Sequence, residues 1–358
     1  MLIDADTHLR EDFCLDKVYA LSGEFAHLTP KRVDEGAYHR MRFEHSLSPW
    51  PAQAEKSHSH KGLYDPARWE GRIARYQAES MDMDKRVAAF REIGVDRQIL
   101  FATTIDPAVM QRGPLGLALC RAYNDWALSL IKGHEDALFP VALLPAGYPD
   151  SMPGELERCT DLGFKAAFLA AYTLDRTLDD PAFDPLFAEA VRLDMPLFVH
   201  PNSRGELTNR FKNFYIMHSL ARPTNSSAAL TALVLGGVFE RHPGLRVAFF
   251  ECNAEWMLYW MHRMDATYPY LKEDYAPYLA MKPSDYVRRN CWLSVESHEP
   301  LAHAIEEIGD SRLLMASDYP HWDTGFPLVP GEFAERGDLT GRQKDLIMCE
   351  NVRTLMRF

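Results

Sequence analysis

The feature that most constrains this chain is an alternation of short apolar runs with longer stretches of helical period. Eight runs read as strands: Leu2–Thr7, Arg97–Thr103, Leu138–Leu144, Lys165–Leu169, Pro196–His200, Arg246–Glu251, Cys291–Glu296 and Arg312–Ser317. Several are almost continuously apolar, as strands covered on both faces by helices must be. Between them, Asp82–Ile93, Leu117–Lys132, Asp150–Leu162, Phe183–Leu193, Ser227–Glu240 and Glu255–Ala266 carry apolar residues three and four apart. Most of these stretches stop near Gly or Pro, as at Gly94, Gly163, Pro196 and Pro243. Strands that alternate with helices build a parallel sheet, and eight of them predict a closed (β/α)8 TIM barrel. The expectation is a single domain over residues 1–358, interrupted by a polar insertion at 13–80 after the first strand, placed to act as a lid.

A barrel gathers the C-terminal ends of its strands at one mouth, so polar residues there are candidates for chemistry. Asp6 and His8 close the first run and, two apart, share a face; His200 ends the fifth, Glu251 the sixth, and Asp318 follows the eighth. Two aspartates and two imidazoles are a mixed oxygen and nitrogen donor set suited to zinc, manganese or iron. We therefore expect Asp6, His8, His200 and Asp318 to hold one divalent ion, zinc first, and to leave a coordination position open. Glu251 reads either as part of the site or as a structural carboxylate. His218 reads as a substrate or proton-relay group, or as a helix-start histidine bonded to backbone. In the loop after Asp318, His321 is placed to orient that aspartate and Trp322 to wall a substrate, or both are loop packing. His58 and His60 have metal-like spacing within a polar loop.

Composition narrows the partners. A net charge of −12 speaks against a nucleic-acid or anionic-membrane binder, either of which calls for basic patches. No apolar run reaches the ~20 residues of a membrane span. Six scattered cysteines without a close pair, behind an N-terminus with no secretory pattern, read as reduced thiols in a cytoplasmic protein.

Motifs spread over nearly the whole chain carry a resemblance. They are residues 4–11 (Asp-Ala-Asp-Thr-His-Leu-Arg-Glu), Cys120–Trp126, Leu162–Lys165, Phe198–Pro201, Gly237–Pro243 and Ala316–His321. In these the chain resembles the amidohydrolase-related (amidohydrolase 2) family, the group that contains aminocarboxymuconate-semialdehyde decarboxylase and aromatic-acid decarboxylases. The resemblance implies a TIM barrel with a single divalent metal, usually zinc, with His8, His200 and Asp318 at ligand positions. It also implies a homodimer, which aromatics at Trp256, Tyr259, Trp260, Tyr268 and Tyr270 would permit. The sequence departs from the decarboxylase prototype twice. Asp6 replaces the first histidine of a His-x-His pair, and Glu251-Cys252-Asn253 replaces a His-Gly-Gly run. A subgroup with Asp-x-Asp-x-His-x-x-Glu also points to Glu11 near the metal. Lys165 starts its strand, at the wrong end of the barrel for the bridging lysine of two-metal relatives.

These features point first to a metal-dependent carbon–carbon lyase, a non-oxidative decarboxylase of an aromatic or unsaturated carboxylic acid. Asp318, with Glu251 or His218, would deliver the proton that replaces CO2, and Arg10, Arg40, Arg42 or Arg68 would bind the carboxylate. The alternatives are a hydrolase of an amide, lactone or C–C bond using metal-bound hydroxide, and a barrel that binds without catalysis.

Overall fold

The computed structural model describes residues 1–11, 14–29, 31–35, 38–42, 75–76, 78–103, 106–171, 173, 175–201, 211, 213–321 and 323–358. Every expected strand is present, most of them shorter than the apolar run that announced it. β1 is Ile3–Leu9; a hairpin, β2 (Lys31–Glu35) and β3 (Tyr38–Arg42), follows it. Then come β4 (Arg97–Ala102), β5 (Leu138–Pro140), β6 (Ala167–Phe168), β7 (Leu197–Val199), β8 (Val247–Phe249), β9 (Cys291–Val295) and β10 (Leu313–Met315). β1, β4 and β5 pair in parallel, as do β6 to β10 in sequence order. Two isolated parallel bridges, Ala142 with Ala167 and Thr7 with Tyr319, join the two sheets into a ring. The chain is a TIM barrel, and its strands are buried throughout because helices cover the outside.

The seam between the first and last strands is the most elaborate part of the ring. Asp318 N–H donates to the Asp6 carbonyl at 2.9 Å, and His8 N–H donates to the carbonyl of Tyr319. The buried Asp4 carboxylate accepts from Ser317 N–H at 3.0 Å and from Asp6 N–H at 3.3 Å. The register of β1 on β4 slips between Asp4 and Thr7, an irregularity that lets Asp4 serve the seam while Asp6 and His8 serve the mouth. From outside, the buried Arg86 donates through Nη1 to the His8 carbonyl at 2.7 Å and through Nε to Gln98 Oε1 at 2.7 Å. Its guanidinium lies over the Tyr319 ring, 4.8 Å from the centroid. Both ends of the seam are thus held by one buried cation.

Two helices differ from expectation, each at a proline. The stretch expected from Ser227 begins at Phe214 and runs to Leu235 through Pro223; the stretch expected to end at Ala266 continues to Tyr275 through Pro269. Proline removes one backbone hydrogen bond, and packing of the remaining face against the barrel outweighs that loss. Asn213 caps the first of these helices by accepting from Tyr215 N–H and Ile216 N–H. His218 therefore sits in the second turn, not at the helix start. Of the expected 13–80 insertion, residues 43–74 lie outside the described residues, and with them Arg68, His58 and His60; Trp322 also lies outside them. Lys165 is exposed, away from the mouth, as expected. All six cysteines are free, and no described helix is long and apolar enough to cross a membrane.

Asp4→Ala should destabilise the protein by about 2–4 kcal/mol, because it leaves two buried N–H groups at the seam without acceptors. Asp4→Asn, which keeps one carbonyl oxygen there, should recover at least half of that loss. Urea unfolding of the three proteins checks this; an alanine variant as stable as the parent would show that the seam does not need Asp4.

Candidate metal centre

Strand direction decides which side chains meet at the mouth. His8 Nε2, from β1, lies 3.2 Å from His200 Nε2, which follows β7 directly. The same His8 nitrogen is 3.4 Å from Asp6 Oδ1 and 3.2 Å from Asp318 Oδ1. His200 Nε2 is 3.8 Å from Asp6 Oδ2 and 3.2 Å from Glu251 Oε2. Two triads of donor atoms, Asp6–His8–His200 and His8–Asp318–His321, each fall within 4.8 Å. All of these side chains are largely buried, that of Glu251 being 8% exposed and that of Asp318 11%.

Below the cluster the barrel is packed with aromatic rings. Phe101 packs against His200, Phe250 and His8 with ring centroids 4.9, 4.9 and 5.8 Å away, and Phe198 packs on Phe250 at 4.9 Å. This apolar floor closes the site from beneath, so the mouth is its open side. Asp318 and Glu251 both hold left-handed backbone, with φ of 57° and 55°. For residues with a side chain this costs on the order of 1–3 kcal/mol each, and such strain clusters at functional sites. Ser294 Oγ accepts from Glu251 N–H at 3.1 Å and helps to hold it.

One proton cannot satisfy this cluster. His8 Nε2 faces two carboxylate oxygens and a second imidazole nitrogen, all within 3.4 Å, and Asp6 Oδ1 is buried without an aligned hydrogen bond. Burial alone lowers the His8 pKa, but hydrogen bonds and charge from Asp318 and Asp6 overcome it and raise it to about 10. Burial, then the His8 charge, holds His200 well below the usual histidine range. Burial raises Asp6 to about 7 against the pull of His8. For Asp318, burial is outweighed by the His321 charge and by hydrogen bonds from His321 and His8, so it stays ionised well below the carboxylate range. A single proton on His8 therefore stands where a cation is wanted. Donor atoms around one divalent ion at ~2.0–2.2 Å lie roughly 3–3.5 Å apart, and the distances of Asp6, His200 and Asp318 from His8, 3.2 to 3.4 Å, are of that size.

The remaining candidates are placed as follows. Glu251 joins the cluster through His200, and its Oε1 is bound by Arg222, whose Nε donates at 2.6 Å and whose Nη2 binds the same oxygen. His321 Nδ1 lies 2.7 Å from Asp318 Oδ1, and its ring packs 4.0 Å from that of His8, so it does support the aspartate. His218 is half-buried and pairs with Asp323 at 3.2 Å, at the rim. Glu11 is fully buried just past β1, where its charge acts on the Tyr123 phenol. Arg10 is buried, and the side chains of Arg40 and Arg42 lie outside the description.

Sequence reasoning passed over two groups here. Arg222 lies on a helix, where no strand-end rule points to it; its one signal is spacing, one turn after His218. Glu296 follows β9, a strand-end position that could have drawn notice. Burial, then the nearby Asp318, Glu299, Asp323 and Glu251 carboxylates, raises its pKa to about 8.

The amidohydrolase family model matches residues 3–358. A 2-amino-3-carboxymuconate-6-semialdehyde decarboxylase from Dictyostelium discoideum is 24% identical over 261 residues, 71% of this chain and 70% of that protein. Two crystal structures share the fold. An amidohydrolase from Mycobacterium avium subsp. paratuberculosis superposes with a TM-score of 0.80 at 18% identity, over 99% of this chain and 98% of that one. A dihydroxybenzoic acid decarboxylase from Polaromonas sp. JS666, with bound manganese and the inhibitor 2-nitroresorcinol, gives 0.70 at 19% identity, over 99% and 96%.

Metal uptake should release protons. Between pH 7 and 10 a bound ion displaces the His8 proton, so affinity should rise about tenfold per pH unit. Below pH 7 Asp6 adds a second proton and the dependence steepens. Calorimetric titration of zinc or manganese in buffers of different ionisation enthalpy reads the proton count; uptake with no proton released would contradict this placement of His8.

Proposed function

We propose that this chain, which belongs to the amidohydrolase family, is a metal-dependent carbon–carbon lyase that decarboxylates an aromatic or unsaturated carboxylic acid. The observation that supports the reading is the gathering of two donor triads, Asp6–His8–His200 and His8–Asp318–His321, around the shared His8 above an apolar floor. The decarboxylase from Dictyostelium and the dihydroxybenzoic acid enzyme from Polaromonas support the reaction type. Zinc suits the donor set, and the manganese of the Polaromonas enzyme makes that ion an equal candidate. When bound, the ion supplies Lewis-acid charge that draws the acid's carboxylate and a neighbouring oxygen to the mouth.

The chain's own residues do the rest. The bond between the ring or alkene carbon and the carboxyl group breaks, its electron pair stays on the carbon, and a proton takes the place of CO2. No oxidant or reductant is needed. Asp318, ionised at rest, passes that proton on from His321 Nδ1, 2.7 Å away, without holding it. Glu251, in contact with both His200 and Arg222, lies beside this route. His218, paired with Asp323 at the rim, relays protons from solvent. The phenylalanine floor keeps water from the carbanionic carbon except along this route.

Two wider readings accompany this one. Exposed aromatics on and beside the helix Glu255–Tyr275, with Tyr259 62% and Tyr270 83% accessible, favour a homodimer. Free cysteines throughout favour the cytoplasm.

Incubation with carboxyl-labelled benzoic and unsaturated acids in 18O-water should release labelled CO2, with no 18O in the organic product. Chelation should abolish release, and zinc or manganese should restore it. Asp318→Asn should slow it by about 10²–10⁴-fold. Incorporation of 18O into the organic product would identify a hydrolase instead.

A further inference from the structure

Arg222 solves a charge problem at the mouth. Asp6, Asp318 and Glu251 already put three carboxyl groups at the mouth, and an acid substrate brings a further one. Among the described residues, Arg86 and Arg222 both bond to members of the cluster, but Arg86 cannot meet a ligand: it is buried behind β1, bound to the His8 carbonyl and stacked on Tyr319. Arg222 faces the other way. It leaves the helix Phe214–Leu235 one turn after His218, so the two share a face. Its side chain is 24% exposed, whereas that of Glu251 is 8% exposed, so the arginine is the more accessible member of the pair.

The pairing itself is second-rate. Nε and Nη2 of Arg222 both reach the same oxygen, Oε1, while Oε2 of Glu251 is committed to His200 at 3.2 Å. The strong geometry between guanidinium and carboxylate uses two oxygens side by side. Glu251 cannot offer it without leaving His200, and a free carboxylate arriving from solvent can. The fixed, left-handed backbone of Glu251, at φ 55°, keeps it from following the arginine outward.

We propose that Arg222 anchors the substrate's carboxylate and sets the preference of the site for anionic acids, with Glu251 as its partner only while substrate is absent. The inference rests on the carboxylic-acid reading above. It selects an arginine that lies on none of the segments singled out in the sequence for this task. It also gives the replacement of His-Gly-Gly by Glu251-Cys252-Asn253 a purpose: the carboxylate holds Arg222 in position and is then exchanged for the ligand's.

The test compares binding of benzoate and of its neutral counterpart benzamide to manganese-loaded protein, with metal content measured alongside. The parent should prefer benzoate. Arg222→Gln should lose roughly ten- to a hundredfold of benzoate affinity and little of benzamide affinity. Arg222→Lys should recover part of the loss. Glu251→Gln should bind benzoate more tightly than the parent, because it removes the competing charge. Opposite shifts in two members of one ion pair cannot arise from simple loss of folding. Arg222→Gln within twofold of the parent, Glu251→Gln weaker than the parent, a parent without anion preference, or an Arg222→Gln protein emptied of metal would each overturn the anchor. The CO2 assay stands apart from this one. Anion preference lost in Arg222→Gln without CO2 release from any acid sinks only the decarboxylase reading; CO2 release with unchanged benzoate binding in Arg222→Gln sinks only the anchor.

Discussion

The seam that closes the barrel between its first and last strands is the constraint on which the rest depends. Asp6, His8 and Asp318 come from opposite ends of the chain and meet because Asp318 N–H binds the Asp6 carbonyl and His8 N–H binds that of Tyr319. Asp4 holds the next peptide down, at Ser317. Burying that carboxylate is costly, and burial raises its pKa to about 7 against the hydrogen bonds and the Arg86 charge that pull it down. A carboxylate in so unfavourable a place is retained for what it positions. Arg86 works on the same seam from the other side.

The electrostatics of the mouth follow from that closure. Carboxylates and imidazoles forced together above a phenylalanine floor have apolar rings beneath them, which spread charge poorly. The group that answers is His8, which keeps a proton to about pH 10, while its neighbour His200 stays neutral. Two of the residues held in left-handed backbone, Asp318 and Glu251, are carboxylates at strand ends of the mouth. Strain of this kind persists because the surroundings over-determine it: Ser294 holds the Glu251 N–H, and the Asp6 carbonyl holds that of Asp318.

Much of this was legible in the residue order. The apolar runs announced each barrel strand, and a strand-end rule then pointed to Asp6, His8, His200, Glu251 and Asp318 before any contact was known. The rule works because a parallel barrel has one mouth and each strand contributes its end to it. It was blind to Arg222, whose place depends on how the helix after β7 leans on the barrel. It was also blind to the floor: Phe101, Phe198 and Phe250 look like ordinary strand residues until closure stacks them. The helices through Pro223 and Pro269 were cut short for a local reason, the missing hydrogen bond, which tertiary packing overrides.

The sequence by itself determined the barrel, the end of it that carries chemistry, and the donor types gathered there, because periodicity and strand direction are properties of neighbours along the chain. Only the tertiary structure decided which atoms share a proton, which arginine faces the mouth, and that Glu251 is held by a cation while Asp318 is held by two imidazoles. Those outcomes depend on distances of a few ångströms between residues far apart in sequence. At that range burial and charge decide protonation, and no local pattern encodes them.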